Sequence, residues 1–199
     1  MMQLSELCDI RMGFSARGRV EPVEDGGIPY VQLKDVNATG VVDAKKLTNA
    51  NLPDIDDRYR LTPNDIVFRS RGAHNIGALV QGTDKDVVAL APLTILRPRR
   101  ETVLPEYLVW FISQNPAQRH FDAGARGTNI RMIPRECLAK LPVDVPDLET
   151  QHQIVKIAHL ARRESELSEL LAHKKSELMS FVLLKQARKT QPRVNEAGF

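Results

Sequence analysis

The stretch Leu141-Pro142-Val143-Asp144-Val145-Pro146-Asp147-Leu148-Glu149-Thr150-Gln151-His152-Gln153-Ile154 decides how this chain is organised. Pro142 and Pro146 exclude helix up to that point and hold the connection extended. Leu141 to Val145 therefore reads as a short strand that returns the chain to a preceding domain. Asp147, Glu149 and Thr150 then supply a cap and first-turn negative charge for a helix. From Leu148 to Ala187 there is neither Pro nor Gly, and Leu, Ala, Glu, Lys and Arg dominate. Ile154, Ile157, Leu160, Leu167, Leu170, Leu171, Leu178, Phe181 and Leu184 recur at helical spacing. Such a helix runs about 55–60 Å at 1.5 Å per residue. That is more than one small domain covers, so the stripe calls for a partner helix, although Lys174 and Glu177 interrupt it. The competing account is a core helix folded back on its own domain.

Upstream, short apolar runs sit between turn signals. Ile28–Leu33, Asp65–Phe68, Gly77–Val80, Val87–Leu90 and Leu93–Leu96 have strand length and β-branched or aromatic content. Their continuous apolar character predicts strands covered on both faces. Short helices are expected at Leu4–Cys8 with Ser5 as cap, at Pro105–His120, and at Pro134–Ala139. The fold class is thus α+β: a globular domain with a mixed or antiparallel β core and short helices, then one long C-terminal coiled-coil helix. The expected boundaries are residues 1–147, 148–187 and a loose tail, 188–199.

Bulk properties narrow the function classes. The chain has 199 residues, 42% hydrophobic and 27% charged, with a formal net charge of +3. This balance builds a core and admits a nucleic-acid partner without requiring one. Cys8 and Cys137 are the two cysteines and show no metal-ligand spacing. A reducing cytoplasm is expected. The N-terminus lacks the basic-then-apolar pattern of a signal peptide, and no run of 18 apolar residues crosses a membrane.

No catalytic constellation is evident. Asp54, Asp56 and Asp57 lie in a Pro-containing loop that reads as a solvated turn. His152 and His159 are two helical turns apart, too far to share one ion, and His74, His120 and His173 make no pair. No phosphate-binding Gly loop follows a strand. The chain is expected to be non-catalytic and to need no cofactor or metal.

Several segments carry a resemblance to the specificity subunit of type I restriction-modification systems. Ile28-Pro29-Tyr30-Val31 with Lys34-Asp35-Val36 looks like the opening strand of such a target recognition domain. Leu61-Thr62-Pro63-Asn64-Asp65-Ile66-Val67-Phe68-Arg69-Ser70-Arg71-Gly72 and Ile76-Gly77 resemble a second family segment, with Asn64 where Gly is usual, a position Asn tolerates. Gly127-Thr128-Asn129, Ile133-Pro134, Leu138 and the stretch from Leu141 to Ile154 are similar to the family's closing pattern. The resemblance reaches about Ala187. It implies a DNA-reading subunit that directs a methyltransferase subunit, with a restriction subunit as a further possible partner. Relatives carry two recognition domains and two antiparallel helices, whereas this chain carries one of each. A half-sized subunit is implied, pairing as a homodimer to read a two-part double-stranded DNA site.

A DNA reader needs cations for phosphates and planar groups for base edges. The segment Arg69-Ser70-Arg71-Gly72-Ala73-His74-Asn75 has both, with Arg69 or Arg71 suited to guanine and Asn75 to adenine. It equally reads as a solvated hairpin loop. Arg126-Gly127-Thr128-Asn129-Ile130-Arg131 sets two arginines around a turn whose N–H groups suit a phosphate, or is simply a capped helix start. Lys34 is a further contact candidate or a surface partner of Asp35. Arg17 and Arg19 are ambiguous, and Arg97, Arg99 and Arg100 read as a solvated turn. A protein-binding adaptor with a coiled-coil helix and no DNA reading is the alternative function.

Overall fold

β-branched runs closed by Gly and Pro become strands, and the computed structural model places them in two layers. It describes residues 1–52, 55–72, 74–82, 86–127 and 131–189. Strand β1 (Met2–Gln3), helix α1 (Leu4–Leu7) and strand β2 (Cys8–Met12) open the chain. Then come β3 (Pro22–Val23), β4 (Ile28–Val31), β5 (Val41–Asp43), β6 (Thr48–Ala50) and β7 (Arg60–Leu61). The longer strands β8 (Ile66–Arg69) and β9 (Ile76–Gln81) follow, then β10 (Val87–Ala89) and β11 (Leu93–Pro98). Helices α2 (Pro105–Ile112), α3 (Asn115–Gly124) and α4 (Arg135–Ala139), strand β12 (Pro142–Val143) and helix α5 (Leu148–Lys189) complete it.

One five-stranded sheet has the order β2-β11-β8-β9-β5, the other β3-β6-β4-β10-β7. Both are mixed, since β5 runs parallel to β9 and β4 parallel to β10. The first sheet is the middle layer. Ile66, Phe68, Leu79 and Leu96 point into a core shared with α1 to α4. Val67, Ala78, Val80, Leu93 and Ile95 point into a second core that reaches Val31, Leu61, Val87 and Ala89. Alternate residues of one strand thus enter different cores, which is why these strands read as continuous apolar runs. Asn64 sits at φ 74 in the turn Thr62–Asp65, closed by the Asp65 N–H on the Thr62 carbonyl at 3.0 Å. Pro63 before it and a positive φ at Asn64 suit a type II turn.

Two helix expectations are corrected. The single helix over Pro105–His120 is two helices. Pro116 has no N–H for a helical bond and would crowd the Ile112 carbonyl four residues back. The chain breaks at Ser113–Gln114, and Gln118 Nε2 donates to that Ile112 carbonyl instead, at 2.6 Å. At the N-terminus Ser5 is not the cap. It lies inside α1, and the Gln3 N–H is taken by the Glu6 carboxylate at 2.6 Å.

β12 pairs antiparallel with β1, Met2 opposite Val143 and Gln3 opposite Pro142. This closes the domain just before α5. Asp147 caps that helix, accepting the Thr150 N–H at 2.8 Å and the Thr150 hydroxyl at 2.9 Å. These bonds hold its carboxyl below the usual carboxylate range. Gln151 is fully buried. Its Oε1 accepts the Leu104 N–H at 2.8 Å, and its Nε2 donates to the carbonyls of Pro146 at 2.8 Å and Thr102 at 3.1 Å. Tyr107 adds a 2.6 Å hydroxyl bond to the Asp144 carbonyl. Ile154 and Val155 pack partly against the helical core.

The chain divides into two compact units, Met1–Val155 and a second that begins at Lys156. Within the second, α5 continues to Lys189 with ion pairs Arg162–Glu166 and Lys174–Glu177 along its polar side. Ile157, Leu160, Leu167, Leu170, Leu171, Leu178 and Phe181 are all about half exposed or more, between 48% and 66%. The expected tail, residues 188–199, lies outside the described side chains. Among the described residues no helix is long and apolar enough to cross a membrane.

Candidate nucleic-acid interface

The two basic segments singled out by sequence are far apart in the chain and adjacent in the fold. β8, the central strand of the middle sheet, carries Arg69, half-buried, at its C-terminal end. Ser70 is buried there, its hydroxyl donating to the Pro92 carbonyl at 2.8 Å. Arg69 Nε donates to the Arg71 carbonyl at 3.1 Å, so the loop curls under its own guanidinium. Gly72 permits this curl. Its φ is 112, and a Cβ there would lie 3.0 Å from Arg69 Nη2.

The second segment joins from the other side. Arg126 and Met132 exchange both backbone bonds, each at 2.9 Å. Met132 also lies opposite Arg71. That pairing is framed by the Gly72 N–H on the Arg131 carbonyl at 3.3 Å and the Ile133 N–H on the Ser70 carbonyl at 2.9 Å. Residues 131–133 are therefore the central strip of a small three-strip ladder. Directly opposed residues of an antiparallel ladder share a face. Arg71, Met132 and Arg126 form one row, and all three are exposed. Ile133, the next residue, is buried and anchors the strip.

The remaining candidates fall in different places. Arg131 is ion-paired with Asp122 at 2.5 Å, with both side chains still partly exposed. His74 is exposed beside the ladder loop in sequence. Asn129 lies outside the described residues. Asn75 is buried, its Nδ2 donates to the Arg69 carbonyl at 3.3 Å, and its own carbonyl accepts from Gln118 at 2.9 Å. In this arrangement its amide braces the loop's own backbone. Lys34 is exposed in a 3-10 turn after β4. Asp35 closes that turn by accepting the Gln32 N–H at 2.9 Å. Lys34, Arg19, Tyr30, Gln32 and Pro92 line an open groove of about 610 Å³. Pro92 is also the acceptor for Ser70, so the groove wall touches the ladder loop.

Arg97 is corrected. It lies in β11 rather than in a solvated turn, and it grips Asp65 with Nε at 2.9 Å and Nη2 at 2.7 Å. Asp65 is 1% exposed and Arg97 is half-buried, so the pair is a structural one with its carboxylate buried. The hydrogen bond to Asp65 raises the Arg97 pKa further. Arg99 and Arg100 are exposed, as expected of a turn. Sequence reasoning passed over Met132, Asp65 and the bracing role of Gln151. A Met before Ile133-Pro134 carries no local signal, and the others declare themselves only through partners distant in sequence.

Asp56 and Asp57 are exposed and paired with Arg58 and Arg60. Burial pushes the Cys8 thiol up to about 12 and raises that of Cys137, so neither supplies a thiolate near neutrality. Among the described residues no three His, Cys, Asp or Glu side chains cluster as a metal site.

The fold is shared with known proteins. Among solved structures, the S subunit of a type I restriction-modification system from M. genitalium superposes with a TM-score of 0.53 at 16% identity, over 88% of this chain and 42% of that one. A structure reported for complex assembly and conformational transition of the type I R-M system gives 0.61 at 20% identity, over 93% and 43%. The HsdS subunit from Thermoanaerobacter tengcongensis gives 0.56 at 20%, over 85% and 38%. These likenesses establish the fold, and the chain spans less than half the length of each. No match is found among curated protein sequences. The description "Type I restriction modification DNA specificity domain", a non-catalytic module, matches residues 1–180, and the chain belongs to that family.

Proposed function

We propose that this chain reads double-stranded DNA sequence on behalf of a separate methyltransferase subunit, as the specificity component of a type I restriction-modification system. The observation that carries this reading is the ladder that sets Arg71 and Arg126 on one exposed face, 55 residues apart in sequence. Two cations held by backbone pairing, rather than on free loops, offer fixed geometry to phosphates or guanine edges. Arg69, Arg131 and His74 lie next to these arginines in sequence, and Lys34 with Arg19 extends the surface along the groove. Family membership supplies the context.

The exposed apolar stripe of α5 supports a homodimer joined through Ile157, Leu160, Leu167, Leu170, Leu171, Leu178 and Phe181. Two copies related by a two-fold axis present two equivalent readers, which suits a bipartite site. A restriction subunit is a further partner of such an assembly, and a cytoplasmic setting fits it.

Mobility shift with a random-sequence duplex pool, with and without a methyltransferase subunit, tests the reading. The expected result is a selected, salt-sensitive duplex whose binding weakens on Arg71→Ala and Arg126→Ala. Failure to retain any duplex under both conditions would falsify it and favour a protein-binding adaptor.

A further inference from the structure

Met132 occupies the centre of the ladder, and its surroundings differ from those of an ordinary surface methionine. Successive side chains of an extended strip point to opposite sides. Ile133 points inward and is 4% exposed, while Met132 is 37% exposed. Four backbone hydrogen bonds around residues 131–133 fix that outward aim. The neighbours in its row, Arg71 and Arg126, are permanent cations. A residue with an apolar, unbranched thioether thus stands between two arginines in one row on one face. Cα separations across such rungs are about 4.5 and 5.5 Å, so the row extends over about 10 Å. At about 3.4 Å per base-pair step, that is roughly three steps, with the apolar group in the middle. A strip of this kind fits the major groove, where thymine is the base that offers a methyl group.

We infer that Met132 is a specificity-determining residue whose thioether contacts the 5-methyl group of a thymine in the major groove, while Arg71 and Arg126 engage flanking phosphates or guanines. This rests on the DNA-reading proposal above and adds a base preference to it. The polarizable, flexible side chain adapts to the methyl group, and the arginines orient the strip without themselves selecting thymine.

The test uses the full chain and the duplex selected from the random pool, with each thymine replaced in turn by uracil, which lacks only the methyl group. At one thymine near the centre of a half-site, wild-type affinity is expected to fall about fourfold, the worth of burying one methyl group. Met132→Ala is expected to bind the unmodified duplex about as weakly as wild type binds the uracil duplex, and to show no further response to uracil. Met132→Leu keeps an apolar side chain and retains the response. Equal melting temperatures for the three proteins separate the contact from folding. A selected duplex bound equally well with every thymine replaced overturns the Met132 inference alone and leaves DNA reading intact, as does an undiminished uracil response in Met132→Ala. Absence of binding to any duplex by wild type overturns both.

Discussion

Helix α5 has one character along its sequence and two in the fold. Its root, Leu148–Val155, belongs to the first compact unit, with Gln151 fully buried and Ile154 and Val155 packed on the core. From Lys156 onward the same apolar periodicity continues, yet Ile157 is 66% exposed and Phe181 64%. Periodicity reports that a stripe exists. It does not report what covers it. At the root the cover is the domain itself, drawn tight by a polar side chain rather than an apolar one. Beyond it the stripe is exposed, and it is the surface that the proposal above pairs with a second copy.

The sharpest way to break this contrast is at Gln151. Gln151→Ala leaves the Leu104 N–H and the carbonyls of Thr102 and Pro146 without this partner. A buried unsatisfied group costs about 1–3 kcal/mol, so a stability loss of that order is expected in urea denaturation. Gln151→Glu is expected to be worse at neutral pH than at acid pH, because a buried carboxylate cannot donate to the two carbonyls and its protonated form offers one donor.

Next comes the exposed stripe. Leu167→Ala with Leu171→Ala is expected to change the unfolding of the first unit by less than about 0.5 kcal/mol, as at other exposed sites. The same pair is expected to abolish concentration-dependent dimer mass in light scattering. An unchanged mass, monomeric or dimeric, in both proteins would remove the stripe from the association.

The smallest effect is expected at the cap. Asp147 has its carboxyl pKa lowered by the Thr150 hydrogen bonds. A depressed folded pKa contributes stability above the unfolded value, and that contribution is lost as pH falls through the folded value. Asp147→Ala is therefore expected to melt slightly below wild type at pH 6. The gap should close once pH has fallen through the lowered folded value, where the carboxyl is protonated in both states. A gap that persists there would assign the cap's effect to backbone conformation instead.

Legibility followed the range of the interaction. The start of α5 could be read because Pro146, Asp147 and Thr150 act within one turn of each other. The strands β8, β9 and β11 could be read because burial on both faces writes itself as unbroken apolar runs. β7, β5 and β3 left little trace, since two or three residues carry too few side chains for a pattern. The break between α2 and α3 had a local sign in Pro116, outweighed by the apolar face of Leu108, Phe111 and Ile112. Arg97 was misplaced because its partner Asp65 lies 32 residues away. Asn75 has the right chemistry for adenine, and its bond to the Arg69 carbonyl shows only in the fold.

The sequence by itself determined the α+β class, the capped exit into a long helix, and the presence of two basic segments beside glycines. These depend on backbone rules and on neighbours within a few residues. Only the tertiary structure decided that the two segments are one surface, that Met132 stands between their arginines, and that a buried glutamine braces the helix root. Each of those is a pairing of residues remote in the chain, and such pairings exist only once the cores of the two sheets have closed.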